Sequence, residues 1–134
     1  MSESFDLSKT FVHLGLGATA VPVHDFSWRP EAMRRYLTTF LSDRNEGRLV
    51  GITSLDKDWT HWERHAEGDE LVVQLTGRSE VVQEIDGEIR VVQLNPGEAI
   101  VNPRGVWHTS NVQETGQSLF IAAGRRTDYR DRQR

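Results

Sequence analysis

Cysteine is absent from this chain. Disulfides, thiolate ligands and cysteine nucleophiles are thereby excluded, and any bound metal must be held by nitrogen and oxygen. There is also no apolar run of about eighteen residues and no basic-then-apolar leader, so neither a membrane span nor a signal peptide is expected and the cytoplasm is the default location. No Gly-rich phosphate loop, internal repeat or serine with a partner base stands out. At 134 residues the chain suits one domain rather than two, and its 37% hydrophobic and 27% charged residues are ordinary for a water-soluble protein.

Net positive charge is confined to the end of the chain. The formal net charge is −4, yet residues 125–134 carry five Arg against two Asp. A basic arm of this kind can bind nucleic acid or a membrane surface. Here it is short, interrupted by Asp128 and Asp131, and offers only Tyr129 for stacking, so it reads as a solvated tail with neither partner.

What the sequence does contain is a pattern of short strands. Phe11 to Leu16 and Ala18 to Val23 suggest one or two extended segments. Pro30, Glu31 and the helical spacing of Met33, Leu37, Phe40 and Leu41 predict one amphipathic helix to about Ser42, covering a face or mouth of the main body. Strands are expected at Leu49 to Leu55, Thr60 to His65, Leu71 to Leu75, Val81 to Ile85, Ile89 to Leu94, Glu98 to Asn102, Trp107 to Val112 and Ser118 to Ala123. Thr76-Gly77 and Asn95-Pro96-Gly97 read as turns, and Asp86-Gly87 between apolar strands is a hairpin signal. This predicts an all-β sandwich or barrel, with 1–46 packing on a barrel of 47–124 and 125–134 as the tail.

Two stretches about forty residues apart concentrate the chemistry. Glu63, His65, Glu70 and Gly77 read E-x-H-x4-E-x6-G, and Gly97, Pro103, Gly105 and His108 read G-x5-P-x-G-x2-H. Together they resemble the two signature motifs of the cupin superfamily, G-x5-H-x-H-x3,4-E-x6-G and G-x5-P-x-G-x2-H-x3-N, in the manner of a small single-domain, cupin-2 type protein. Three positions depart from the pattern: Lys57 replaces the opening Gly, Glu63 replaces the first His, and the closing Asn falls one place early at Asn111. The resemblance covers roughly Arg48 to Ala123 and implies a double-stranded β-helix, or jelly-roll barrel. Such barrels commonly pair as homodimers through edge strands, for which the apolar N-terminal segment is suited; the monomeric alternative folds that segment over its own barrel.

By resemblance, the metal ligands carry over to His65, Glu70 and His108, with Glu63 as an unconventional fourth. Strand parity is compatible: alternate side chains share a face roughly 6.6 to 6.8 Å apart, so Glu63 and His65 can lean towards one ion. Gly68 would let Glu70 return to the level of His65, and His108 would arrive after the Pro103-Arg104-Gly105 turn. His61 shares their parity but lies further along the strand. Two carboxylates and two imidazoles favour Fe, Mn, Zn or Ni over copper. The alternative is a metal-free pocket in which Glu63 pairs with His65, His108 or Arg104.

Rival motifs fail on missing parts. His61 and His65 lack the Glu immediately after the first His that a zinc protease requires. His61-Trp62-Glu63 has the first half of a zinc-deaminase signature, but the Cys ligands are absent. Val72 and Gln74 share the parity of Glu70, so Gln74 is expected in a substrate pocket, together with Arg104 as a partner for a carboxylate. Trp62 and Trp107 have the opposite parity and should pack between sheets, beneath the helix or in a dimer contact. The expected function is a metal-dependent isomerase, lyase or oxygenase acting on a small oxygenated molecule, with Glu63 or Glu70 as a catalytic base. The alternative is a small-molecule binding or sensing barrel without turnover.

Overall fold

Asp86 and Gly87 both adopt positive φ, 52° and 79°, as a two-residue turn compatible with strand twist requires. They join β5 (Glu70–Ile85) to β6 (Glu88–Leu94), paired from Ser79 opposite Leu94 to Ile85 opposite Glu88. The computed structural model describes residues 3–133. Within them lie also β1 (Phe11–Gly15), β2 (Thr19–Val23), helix α1 (Pro30–Thr39), a 3-10 segment (Leu41–Glu46), β3 (Arg48–Leu55), β4 (His61–His65), β7 (Ala99–Asn102), β8 (Trp107–Ala123) and β9 (Thr127–Asp131). Strand order is β2-β1-β3-β8-β4-β9, with β5 pairing β6, β7 and β8, all antiparallel. The result is the expected jelly-roll barrel with one N-terminal helix.

The expected turn at Thr76-Gly77 is not a turn, and the expected break between Val112 and Ser118 is absent. Residues 70–85 and 107–123 are each one long bent strand instead of two. The register of β5 on β8 slips between Gln74 and Ser79, where Gly77 takes a φ of 72°. A Cβ at Gly77 would strike the carbonyls of Glu114 and Thr115, and one at Gly116 would strike that of Thr76. Two glycines thus let the strands cross closely at a bulge, so the chain bends where composition suggested it would end.

The C-terminal residues also differ from expectation. Thr127–Asp131 is not a solvated tail but a strand paired along the whole of β4, from His61 opposite Asp131 to His65 opposite Thr127. Alternation explains this: Thr127 and Tyr129 line the barrel cavity, while Asp128 and Arg130 form ion pairs outside with Arg64 and Glu84. Trp62 and Trp107 both pack against arginine. The Arg130 guanidinium stands 4.9 and 4.7 Å from their ring centres, and Arg64 lies 4.6 Å from Trp107.

The N-terminal hairpin folds over its own barrel, β1 pairing with β3. Phe11, Tyr36 and Leu49 form a buried cluster joined by Phe26, Leu37, Phe40 and Phe120. Phe11 meets Phe120 edge-on at 5.4 Å and Phe26 at the same distance. Burial of a side chain of this size contributes roughly 1.5–3 kcal/mol. The helix starts with Pro30 and Glu31 and buries Ala32 and Tyr36. Tyr36 ties it to the hairpin through a 2.7 Å hydrogen bond with His13 Nδ1.

Candidate metal centre

Strand register brings the chemistry together. Glu63 on β4 lies opposite His108 on β8 and opposite Tyr129 on β9, while Glu70 on β5 lies opposite Asn102 on β7. His65 and Glu70 flank the Gly68 turn, so Glu70 returns to the level of His65. The turn before β8 places the Gly105 amide 3.0 Å from the His65 carbonyl, which it hydrogen-bonds. All four residues face one cavity of about 420 Å³.

Glu70 occupies the centre of the cluster. Its Oε2 is 3.2 Å from His65 Nε2 and its Oε1 is 3.2 Å from His108 Nε2. The Asn102 amide donates to Oε1 at 3.0 Å, and Asn102 is itself held by Gln83 at 2.8 Å. Burial alone would raise the Glu70 carboxyl, but the adjoining imidazoles of His108 and His65 outweigh it and hold the group well below the carboxylate range. His65 shows the counterpart: burial disfavours its charged form, yet contact with Glu70 and the charges of Glu70 and Glu63 raise it.

The imidazoles test whether an ion fits. His65 and His108 are 7% and 3% exposed, and Nε2 of each, with Nδ1 of His108, is buried without a hydrogen-bond partner. The 3.2 Å approaches to Glu70 are therefore charge contacts without hydrogen-bond alignment. Nitrogen and oxygen donors about 3 Å apart match the spacing around an ion bonded at roughly 2.0–2.2 Å. Ligand atoms of Glu63, His65 and His108 also lie within 4.8 Å of one another. Among the described residues, this His/Glu set could hold a metal ion.

Surrounding groups set its orientation. His65 Nδ1 lies 3.0 Å from Thr127 Oγ1; donation to that oxygen leaves the Nε2 lone pair facing the cavity. Glu63 is less confined, with 19% of its side chain exposed. Its Oε2 is 3.8 Å from His108 Nε2, and its Oε1 is 3.3 Å from His61 Nε2. His61 stacks on Trp59 at 5.0 Å. Tyr129 stands beside Glu63, and burial together with the Glu63 charge raises its hydroxyl.

Two expected pocket residues lie elsewhere. Gln74 is fully buried but outside the cavity lining, although the pairing of β5 with β8 is regular up to this residue. Its amide donates to the Thr76 carbonyl, and its Oε1 accepts from Ser79, each at 2.7 Å. Arg104 likewise does not line the cavity: its guanidinium donates to the Glu67 carbonyl and its backbone amide to Asp69. Val72 does line it, while Thr127, Tyr129 and Asn102 were not anticipated. Alternation along 127–131 carried a signal for the first two; Asn102 depends on pairing between distant strands.

No protein-family model matches the chain, and no curated protein does. Solved structures of similar architecture include a cupin-2 domain containing protein from Shewanella frigidimarina, 22% identical, with 57% of this chain and 70% of that one covered and a TM-score of 0.49. Another is hydroquinone 1,2-dioxygenase from a Sphingomonas species with 4-hydroxybenzoate bound, 15% identical, covering 56% and 58% at a TM-score of 0.48. A third is hydroxypropylphosphonic acid epoxidase from S. wedmorenis, 14% identical, covering 56% and 42% at 0.45. The chain thus spans less than two thirds of the latter two. The barrel described above follows from this chain's own strand pairing.

Proposed function

We propose that this chain is a small metal-dependent enzyme acting on an oxygenated small molecule. The observation that carries the reading is the pair of buried histidines whose unpartnered Nε2 atoms face one carboxylate on the cavity wall. His65, Glu70 and His108 would hold the ion, with Glu63 beside them. Two imidazoles and one carboxylate with room for further ligands suit Fe(II) and also Mn, Zn or Ni. A bound divalent ion would polarise a substrate carbonyl, enol or hydroxyl oxygen.

The protein's own groups divide the remaining work. Thr127 orients His65, while Asn102, held by Gln83, orients Glu70. Glu70, held by Asn102 between the two imidazoles, serves as an anchor. Glu63, partly exposed beside His61, is the base, taking a proton next to the substrate oxygen. With Glu63 as base the reaction class is an isomerase or lyase; an oxygenase would instead leave the chemistry to redox-active iron on the same two imidazoles and carboxylate. The hairpin packs on its own barrel and leaves β2 as an outer strand, so the same reading includes a homodimer through that edge alone; light scattering tests that assembly.

Metal-loaded protein should exchange protons of enolisable ketones in heavy water, followed by NMR. Glu63→Gln should slow exchange by about 10²–10⁴-fold and retain the metal. A second reading is a binding barrel without turnover. It is favoured by the mutual charge compensation of Glu70 and His65, which can hold the cluster together without an ion. Saturable ligand binding with no exchange and no oxygen uptake would select that reading.

A further inference from the structure

The cavity lining is chemically divided. Glu63, His65, Glu70 and His108 supply a polar, metal-ligating cluster, whereas Phe26, Trp28, Met33 and Phe120 supply aromatic and apolar surface. Much of that surface comes from the first 46 residues, outside the barrel strands. Phe26 and Trp28 stand edge to face at 5.0 Å between β2 and α1, and Met33 projects from α1. Trp28 is 55% exposed, so an aromatic face remains available to a guest.

Positive charge is missing from this lining. Among the described residues, no Arg or Lys borders the cavity. Two arginines of adjoining segments are committed elsewhere: Arg48 donates to the Asp69 carbonyl and Arg104 to that of Glu67. The two lining carboxylates, Glu63 and Glu70, would balance the charge of a divalent ion held there. An entering carboxylate or phosphate would lose its hydration without gaining a cationic side chain, and its one positive partner would be the ion, whose charge the two carboxylates already offset. The 420 Å³ volume accommodates a molecule of one or two rings.

We propose that the ligand of this cavity is an uncharged, mainly apolar molecule with an oxygen at one end, a phenol or ketone on a ring or hydrocarbon body, and that organic acids and phosphates are excluded. This rests on the proposed site, since the oxygen is directed at the His/Glu cluster. The body lies between Trp28, Phe26, Met33 and Phe120. The N-terminal region is thus the specificity wall and the barrel supplies the reactive cluster.

Calorimetric titration at neutral pH with 2-naphthol and 2-naphthoate tests the inference on zinc-loaded and chelator-treated protein. Naphthol should bind at least about tenfold more tightly in both forms, a difference of roughly 1.4 kcal/mol. Trp28→Ala should weaken naphthol binding, and Met33→Arg should move the preference towards naphthoate. Naphthoate binding as tightly as naphthol, or neither binding, overturns the inference. If the protein takes up no metal but still prefers naphthol, the metal reading fails and this one stands.

Discussion

His13 and His65 are 2% and 7% exposed, and each has a carboxylate close to its Nε2. Around His13 every ring nitrogen is used: Nδ1 meets the Tyr36 hydroxyl and Nε2 meets Asp43 Oδ2, each at 2.7 Å. Asp43 also accepts from the Leu16 amide, and Phe40 stacks on the imidazole at 3.8 Å. In the barrel, both Nε2 atoms and one Nδ1 are left without a hydrogen-bond partner. Similar residue types therefore make a closed structural knot in one region and a cluster with unspent donor atoms in the other. Hydrogen-bond satisfaction, rather than the presence of histidine and carboxylate, separates structural support from a candidate site.

Breaking the barrel cluster should have the largest effect on metal. His108→Ala should weaken binding of an added divalent ion by more than about 100-fold, beyond the range for loss of an outer partner. Elemental analysis after dialysis reads this, and retained stoichiometric metal would remove His108 from the ligand set. Thr127→Val should weaken binding by about 10–100-fold by releasing the His65 orientation, with little change in melting temperature. An unchanged affinity would reduce Thr127 to packing.

The knot should respond in stability alone. Tyr36→Phe keeps the ring but leaves His13 Nδ1 unpartnered, an expected loss of about 1–3 kcal/mol in urea unfolding with metal uptake intact. Loss of metal binding instead would show that the two regions are coupled. The smallest effect concerns Asp43, whose carboxyl is lowered by its bonds with His13 and the Leu16 amide. A depressed carboxyl contributes stability above its unfolded value of about 3.9, and that contribution fades as pH falls through the lower folded value. Asp43→Asn should flatten this acid limb of urea midpoint against pH. An identical limb in the variant would place the linkage elsewhere.

Local chemistry made much of the fold legible. Asp86-Gly87 specified a hairpin, Pro30 a helix start, and alternation an inward Glu63 and His65. Physical context decided the rest. Thr76-Gly77 looks like a turn, but the missing Cβ atoms of Gly77 and Gly116 permit close strand crossing, so β5 and β8 continue as bent strands. In residues 127–131 charge obscured the alternation of Thr127 and Tyr129 with Asp128 and Arg130. Tyr36 and Asp43 lie 23 and 30 residues from His13, and Asn102 lies 32 from Glu70, so only tertiary pairing brings them together.

Metal content of the protein, purified without added metal or chelator beside His108→Ala, tests the central claim most directly. The account predicts near-stoichiometric divalent metal in the parent and its loss in the variant. A metal-free parent that also takes up no Fe, Mn, Ni or Zn when these are supplied would contradict it.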